Sequence, residues 1–145
     1  MARYTHKVDE KGRLFLPARL RPQIGNEVVV TVSLQEGYLS IYTVPAYEAV
    51  KRQIESLPGT DPRVRRMRLE IIGEATFCSL DSQGRISISR ELWDLIEVSP
   101  GEEVSLSDLD DTMLLCSLKS HLERRATQIP LGDLDLSTYE ITGIV

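Results

Sequence analysis

The sequence predicts an α+β fold, mainly β, in which two βαββ modules are intertwined into one barrel-like body. The main observation is a repeat, because residues 9–17 (DEKGRLFLP) recur as residues 81–89 (DSQGRISIS) in a chain of 145 residues. Alternating apolar residues around each copy are typical of short strands. A strand-rich unit of roughly 45 residues is too small to bury a stable core alone. We therefore expect the two copies to share one core.

The repeat keeps a single offset of 72 residues well beyond the turn itself. The Asp, Gly and Arg of the turn stay in register, and four apolar pairs do so too: Leu14 with Ile86, Leu16 with Ile88, Leu20 with Leu92, and Ile24 with Ile96. Seven aligned positions at one offset indicate a duplicated module. The duplication places two copies of an arginine-bearing turn on one molecule, which makes the turns the first candidates for a functional site.

The elements of the first module follow from its turn residues and its apolar pattern. Gly12 can take positive φ in the turn. Pro17 suits the first turn of a short helix, where its missing N–H would have no partner anyway, and Gly25 is placed to end that helix. We predict strands over residues 4–8 and 14–16, a helix over 18–24, and strands over 28–34 and 38–42.

The second module repeats this order, and a helical stretch follows each module. We predict strands over 76–80 and 86–88, a helix over 90–96, and strands over 103–109 and 113–117. Tyr47, Val50 and Ile54 lie at helical spacing and predict a helix over 46–57. We expect further helices over 64–72, after the break at residues 58–62, and over 119–128. The predicted division is 1–57 for the first module and its helix, 58–74 for a linker with a basic helix, 75–128 for the second module and its helix, and 129–145 for a tail.

Composition is that of a globular cytosolic protein. No apolar run approaches the roughly 20 residues needed to span a bilayer, and the N-terminus lacks the apolar stretch of a signal peptide. Cys78 and Cys116 make neither a disulfide framework nor a zinc site, and His6 and His121 fit no ligand spacing. We expect Cys78 to be a buried small apolar residue. We expect no metal, no cofactor, no small-molecule substrate and no membrane partner.

The net charge of −5 is distributed unevenly along the chain. Residues 1–25 carry six basic and two acidic groups, and residues 51–70 carry six basic and three acidic groups. Residues 97–145 carry ten acidic and three basic groups. Screening over about 8–10 Å at physiological salt means that a ligand senses the local patch more than the total charge. A nucleic-acid partner near the N-terminal cluster is therefore compatible with an acidic protein.

Arg13 and Arg85 are the best candidates for contacts to base edges, because an arginine fork matches the O6/N7 edge of guanine. The alternative role for each is a salt bridge to Asp9 or Asp81 that fixes the turn, and the two roles are compatible. The other candidates for DNA contact, chiefly to phosphates, are Lys7, Lys11, Arg19, Arg21 and Gln83, and the candidates for stabilising the turns are Asp9, Gly12, Asp81 and Gly84. We expect no enzyme, because a repeat-related pair of aspartates is more simply explained as two turn-capping carboxylates than as a catalytic pair. A hydrolase built on the two aspartates would need a concave pocket between the turns, and nothing in the sequence demands one.

These residues resemble the MraZ family, within the AbrB/SpoVT superfamily of swapped-hairpin DNA-binding proteins. The resemblance lies in the doubled Asp-x-x-Gly-Arg turn, the run from Arg13 to Arg21, and residues 65–68 leading to 73–75, and it covers nearly the whole chain. It implies a pseudo-symmetric double-split barrel with flanking helices, assembled into homo-oligomeric rings. It also implies a cytoplasmic, nucleoid-associated transcriptional regulator that recognises short direct repeats in the promoter DNA of the division and cell-wall gene cluster.

The second copy departs from the family pattern in ways that make it less basic. It has Ser89 where the pattern has Pro, Glu91 at the position of Arg19, and Gln83 at the position of Lys11. An alternative function is an antitoxin-like module that binds DNA and also binds a partner protein through residues 129–145. We expect Trp93 to lie either in the core or at a subunit interface. For assembly, we expect apolar surface on strands, and on the helices around Tyr47, Ile54 and Trp93, to join subunits.

Overall fold

The computed structural model describes residues 3–144, and the side chains of Arg19 and Gln23 lie outside that description. The eight strands are β1 (Arg3–Lys7), β2 (Arg13–Phe15), β3 (Glu27–Val32), β4 (Leu39–Thr43), β5 (Thr76–Ser79), β6 (Arg85–Ser87), β7 (Glu103–Asp108) and β8 (Thr112–Ser117). The α-helices are α1 (Arg21–Ile24), α2 (Val44–Glu55), α3 (Pro62–Met67), α4 (Arg90–Leu95) and α5 (Leu118–Thr127). Every predicted strand is present, with its ends shifted by no more than two residues.

Six strands form one antiparallel sheet in the order β1-β7-β8-β4-β3-β5. The repeat relates β1 to β5, β3 to β7 and β4 to β8, and these pairs occupy symmetric places in the strand order. The sheet therefore has a pseudo-twofold axis between β8 and β4. The edge strands are swapped, because β1 of the first module pairs with β7 and β5 of the second module pairs with β3. The predicted class, α+β and mainly β with two intertwined modules, is confirmed.

The remaining strands, β2 and β6, form a separate two-stranded ribbon on the same pseudo-twofold axis. Leu14 pairs with Ile86, its equivalent in the repeat, and both side chains are fully buried. Because side chains alternate across a strand, the residues on either side of this pair face the other way. The ribbon therefore has an inner face in the shared core and an outer face that is accessible.

The first short helix differs from its prediction, and its capping residue explains why. Residues 18–24 split into a 3₁₀ turn (Ala18–Leu20) and the single turn of α1, and Pro17 precedes the helix instead of lying in its first turn. No side chain caps this start. In the second module, the Ser89 hydroxyl caps α4 by accepting from the Leu92 N–H at 3.3 Å. Ser89 thus begins a regular α-helix at the position that Pro17 occupies in the first copy.

The predicted helix over 64–72 is also two elements, since α3 continues into a π-helix (Arg68–Ile72). The Gly73 N–H reaches back five residues to the Arg68 carbonyl, and the buried Thr31 hydroxyl donates to the Ile71 carbonyl at 2.6 Å. The hydrogen bond from Thr31 therefore attaches the π-helix to strand β3.

The expectation that the helices offer apolar surface for assembly around Tyr47, Ile54 and Trp93 is wrong, and of the two places expected for Trp93 the core is confirmed. These side chains are 3%, 6% and 1% exposed within the single chain. Tyr47 packs edge-on against Phe77 with ring centroids 5.7 Å apart, and Trp93 belongs to the shared core. Their apolar area is already used inside the fold, so it is not available for assembly. Cys78, as predicted, is buried.

Candidate nucleic-acid interface

The first turn is built around the carboxylate of Asp9. Its Oδ1 accepts from the backbone N–H groups of Lys11 and Arg13 at 2.9 and 2.8 Å, and its Oδ2 accepts from Arg13 Nε at 2.6 Å. Gly12 has φ of +74°, a conformation that disfavours a residue with a Cβ. The carboxylate thus fixes both the backbone of the turn and the direction of the Arg13 side chain.

The second turn has the same construction around Asp81. Its Oδ1 accepts from the N–H groups of Gln83 and Arg85 at 2.9 Å each, and its Oδ2 accepts from Arg85 Nε at 2.7 Å. Gly84 has φ of +78°. The two arginines are therefore held in the same way, and the ion-pair role and the orienting role coincide in both copies.

Both carboxylates are held in the charged form. Burial raises the pKa of Asp9, but the backbone and side-chain hydrogen bonds from Arg13, together with the Lys11 N–H, lower it by more. The pKa of Asp81 is lowered chiefly by the backbone N–H of Arg85, with further contributions from the Arg85 side chain and the Gln83 N–H. Each carboxylate is therefore a charged hydrogen-bond acceptor within its own turn and not a group that exchanges a proton.

The outer face of the ribbon carries both arginines. Arg13 lies across from Ser87, and Arg85 lies across from Phe15. The Arg85 guanidinium carbon lies 5.7 Å from the centre of the Phe15 ring, which is 42% exposed. The Arg13 side chain is 28% exposed and the Arg85 side chain 18%. Arg13 is the more accessible of two otherwise equivalent groups, because its cross-strand neighbour is a small serine.

Each turn is also contacted by a helix of the other module. Trp93 of α4 donates its indole N–H to the Gly12 carbonyl at 3.0 Å, in a buried hydrogen bond. Arg21 of α1, the equivalent position in the repeat, donates to the carbonyls of Leu16 and Gln83 at 3.3 and 3.4 Å. A Cβ at Gly84 would collide with the Arg21 guanidinium. The fold therefore supports the first turn with a buried ring and the second with a partly exposed cation.

The other predicted contacts differ in their exposure. Lys7, Lys11 and Gln83 are exposed, whereas Arg21 is half-buried over the second turn. Arg19 lies in the 3₁₀ turn, and its side chain is outside the described residues. Sequence reasoning missed Phe15, although its position between the buried Leu14 and Leu16 is enough to place it on the outer face.

Other features of the described residues lie apart from the two turns. The two cavities described are lined by other residues than Asp9 and Asp81. Burial raises the pKa of the Cys78 thiol to about 11. Within residues 3–144, no group of three or more His, Cys, Asp and Glu side chains could hold a metal ion. None of the helices in this part of the chain is long and apolar enough to cross a membrane.

Comparison with known proteins gives one consistent family. A family model described as "MraZ protein, putative antitoxin-like" matches residues 1–69. A protein of Nitrosococcus oceani named transcriptional regulator MraZ is 37% identical over 106 residues, which cover 70% of each chain. Proteins with the same name are 40% identical in Pelotomaculum thermopropionicum, over 63% of each chain, and 33% identical in Halothermothrix orenii, over 82% of this chain and 81% of the relative.

Proposed function

The chain belongs to the MraZ family, and from that premise we propose that it regulates transcription by binding double-stranded DNA through the outer face of the β2–β6 ribbon. One observation carries the proposal: the two repeat-related arginines lie on this single accessible face, each oriented by an aspartate. A two-stranded ribbon fits the major groove of B-DNA, where base pairs differ in their hydrogen-bond pattern. The ribbon is therefore the part of the fold best suited to distinguish sequences.

The geometry of each guanidinium supports contact with guanine. Arg13 and Arg85 each use Nε for the aspartate, and within the described residues their terminal nitrogens, Nη1 and Nη2, have no hydrogen-bond partner. Those two nitrogens form the fork that binds the O6 and N7 atoms of a guanine. The aspartate leaves this fork unused and reduces its freedom to rotate, so less conformational entropy is lost on binding.

Contacts to phosphates supply the remaining affinity. Lys7 and Lys11 are exposed beside the first turn, and we include Arg19 and Arg21 among the phosphate contacts by their place in the basic N-terminal cluster. Such contacts position a protein on DNA without reading its sequence. The first copy has more of them than the second, which has Gln83 in place of a lysine. We assign the larger share of specific affinity to Arg13.

We propose further that several copies form a homo-oligomeric ring in the cytoplasm, associated with the nucleoid. One ribbon offers few contacts, and linked subunits on successive direct repeats multiply weak binding. The proposed target is the promoter of the division and cell-wall gene cluster, through short direct repeats. A catalytic role is no part of this proposal, since the only paired carboxylates singled out by the repeat are occupied by hydrogen bonds within their own turns.

The proposal is tested by footprinting the chain on the DNA upstream of its own gene. We expect protection of short repeats in one orientation, and loss of protection when the order of bases within the repeats is scrambled at constant composition. The Arg13→Ala variant on the natural site is the matched protein control. Equal binding to natural and scrambled repeats would contradict sequence-specific recognition.

An antitoxin-like module that also binds a partner protein through residues 129–145 is the second candidate. The exposure of every described residue from Arg125 to Ile144 favours some partner for this segment. Deleting the segment separates the two candidates, because each ribbon keeps its preference for natural over scrambled repeats without the segment, whereas capture of a partner protein requires it.

A further inference from the structure

We propose that residues 129–144 dock into a groove on a second copy of this chain and so join subunits head to tail. The inference rests on the oligomer in the proposed function and identifies the two surfaces that would build it. The tail is one surface. The other is the groove between the β3–β4 loop, the segment of α3 with its π-helix, and the end of α4.

The tail carries an unusually dense set of exposed apolar side chains. They recur at alternating steps of two and three residues: Ile129, Leu131, Leu134, Leu136, Tyr139, Ile141 and Ile144, each between 42% and 82% exposed. Scattered exposed apolar residues are normal on a protein surface, but contiguous ones mark interaction sites. Seven within sixteen residues make this segment the most apolar accessible part of the described chain.

The tail has a local shape of its own and no role in the core. The shared core cluster ends at Leu115. A 3₁₀ turn at Leu131–Asp133 and the Tyr139 N–H bonded to the Leu136 carbonyl at 3.0 Å bend the segment. Because the segment is already bent in the single chain, it loses less conformational entropy when it binds a partner.

The groove is apolar at its base and open to solvent. Its volume is about 550 Å³, within the range of ~300–1,000 Å³ in which pockets bury small ligands. Met67, Ile71 and Ile96 contribute to its lining, together with two strongly exposed leucines, Leu34 at 81% and Leu95 at 54%. Those leucines would become covered if aliphatic side chains of a tail entered the groove.

Charge favours this pairing over contact between like surfaces. Residues 129–145 contain Asp133, Asp135 and Glu140 and no lysine or arginine. The groove wall of residues 62–72 contains four arginines and one glutamate. Arg63 and Arg66 line the groove with Glu36 and Glu70, and Arg66 makes no ion pair among the residues described. The charged residues that line the groove are thus balanced, so an acidic tail meets less repulsion there than against a second acidic tail, and Arg66 is available to pair with Asp133 or Asp135.

A second copy is the occupant that the geometry favours. The tail is exposed along its described length, so it does not fill the groove of its own chain. Tail and groove are different surfaces, and contacts between different surfaces generate rings when the rotation closes. Repeated tail-to-groove contacts therefore build the closed assembly that the proposed function needs.

A complementation experiment on the full chain tests the inference. The tail variant is Leu131→Ser with Leu134→Ser and Leu136→Ser, and the groove variant is Leu95→Glu. The control is Leu122→Glu, because Leu122 is 57% exposed on α5 and is not among the groove residues. Sedimentation at micromolar concentration should show wild type and control as oligomers and each of the other variants as single chains.

An equimolar mixture of the tail and groove variants should form a dimer and nothing larger, because only one intact tail can meet one intact groove. A mixture that stays as single chains, or a tail variant that assembles like wild type, would overturn the inference. Thermal melting confirms that each variant is folded. If Leu95→Glu does not fold, Arg66→Glu replaces it, and combining that change with Asp133→Arg and Asp135→Arg should restore assembly.

The two proposals fail in different ways. An assembled wild type that ignores the operator contradicts DNA recognition and leaves the tail contact standing. An assembled wild type whose tail variant is equally assembled contradicts only the tail contact. A wild type that sediments as a single chain contradicts both the ring and the tail-to-groove contact. This holds even if the tail is then found to bind an unrelated protein.

Discussion

Arg13 and Arg85 are equivalent in the repeat but have different neighbours, and this difference predicts unequal roles. Arg85 is stacked beside Phe15, whereas Arg13 faces Ser87 and is more exposed. We expect Arg13→Ala to cost about 1–3 kcal/mol of binding free energy per contact and to relax the preference for guanine. Arg85→Ala should cost less. Titrations of both variants on one operator at one salt concentration give the comparison.

Lys11→Ala is the control for this pair, since loss of a phosphate contact should weaken binding to all sequences alike. A loss from Arg85→Ala that equals or exceeds the loss from Arg13→Ala would show that the second copy carries the specific contact.

The carboxylate of Asp9 predicts a dependence of stability on pH. Folding lowers the pKa of this group, so its contribution is present above the unfolded value of about 3.9 and is lost as the pH falls through the folded value. Asp9→Asn should therefore melt below wild type at pH 7, with a difference that narrows in acid. Thermal melts from neutral to acidic pH measure this, with the exposed Glu10→Gln as the control. A difference that stays constant across the range would contradict the role of the charge.

At the scale of elements, α4 supports the first turn through one buried hydrogen bond. Trp93→Phe removes one of two donors to the Gly12 carbonyl, which also accepts from the Ile88 N–H at 3.2 Å, and the loss of one hydrogen bond costs about 0.5–1.5 kcal/mol. We expect a lower free energy of unfolding and a several-fold loss of operator affinity, because the turn carries Lys11 and Arg13. Urea denaturation and a binding titration on the same samples measure the two effects.

Ile41→Val separates that effect from general loosening of the core. Ile41 is fully buried in β4, away from the ribbon and the groove, and the change should cost about 0.5–1.5 kcal/mol of stability with operator affinity unchanged. If both variants lose affinity in proportion to stability, the hydrogen bond has no particular role in binding.

The elements themselves were largely predictable from the sequence. The strands follow from alternation and from glycine turns, which are local signals. The apolar pattern does not show the division of 18–24 into two short helices, because the division depends on Pro17 preceding the helix with no side chain to cap its start. The π-helix also escaped prediction, since it depends on Thr31, a residue 40 positions away from its partner Ile71.

The site was predictable in its residues but not in its supports. The repeat identified both turns, and alternation along β2 would have placed Phe15 beside them. The Trp93 bond to Gly12 joins residues 81 positions apart, and periodicity carries no information about such pairs. The same limit explains why the Tyr47 face was assigned to assembly. Its partner Phe77 comes from the other module.

For the whole molecule, an acidic protein can bind DNA only if the local charge dominates. We therefore expect operator affinity to fall steeply with salt, with a log–log slope of about −0.9 for each phosphate neutralised. Lys11→Ala should make the slope shallower by roughly that amount for each engaged subunit. Lys119→Ala, an exposed change on α5, is the matched control and should leave the slope unchanged. Affinity that does not vary between low and physiological salt would contradict the electrostatic part of the proposal.

The exchange of edge strands sets an order of events during synthesis on the ribosome. Strand β1 ends at Lys7, but its partner β7 begins at Glu103. Strand β1 therefore stays unpaired while roughly 100 further residues are synthesised, which takes about 5–20 s at ~5–20 residues per second. The ribbon likewise cannot form until β6 has emerged. An incomplete nascent chain therefore carries its arginines without the scaffold that orients them. Only a chain translated through both modules can compete for the operator, so the intertwined fold acts as a check on completeness.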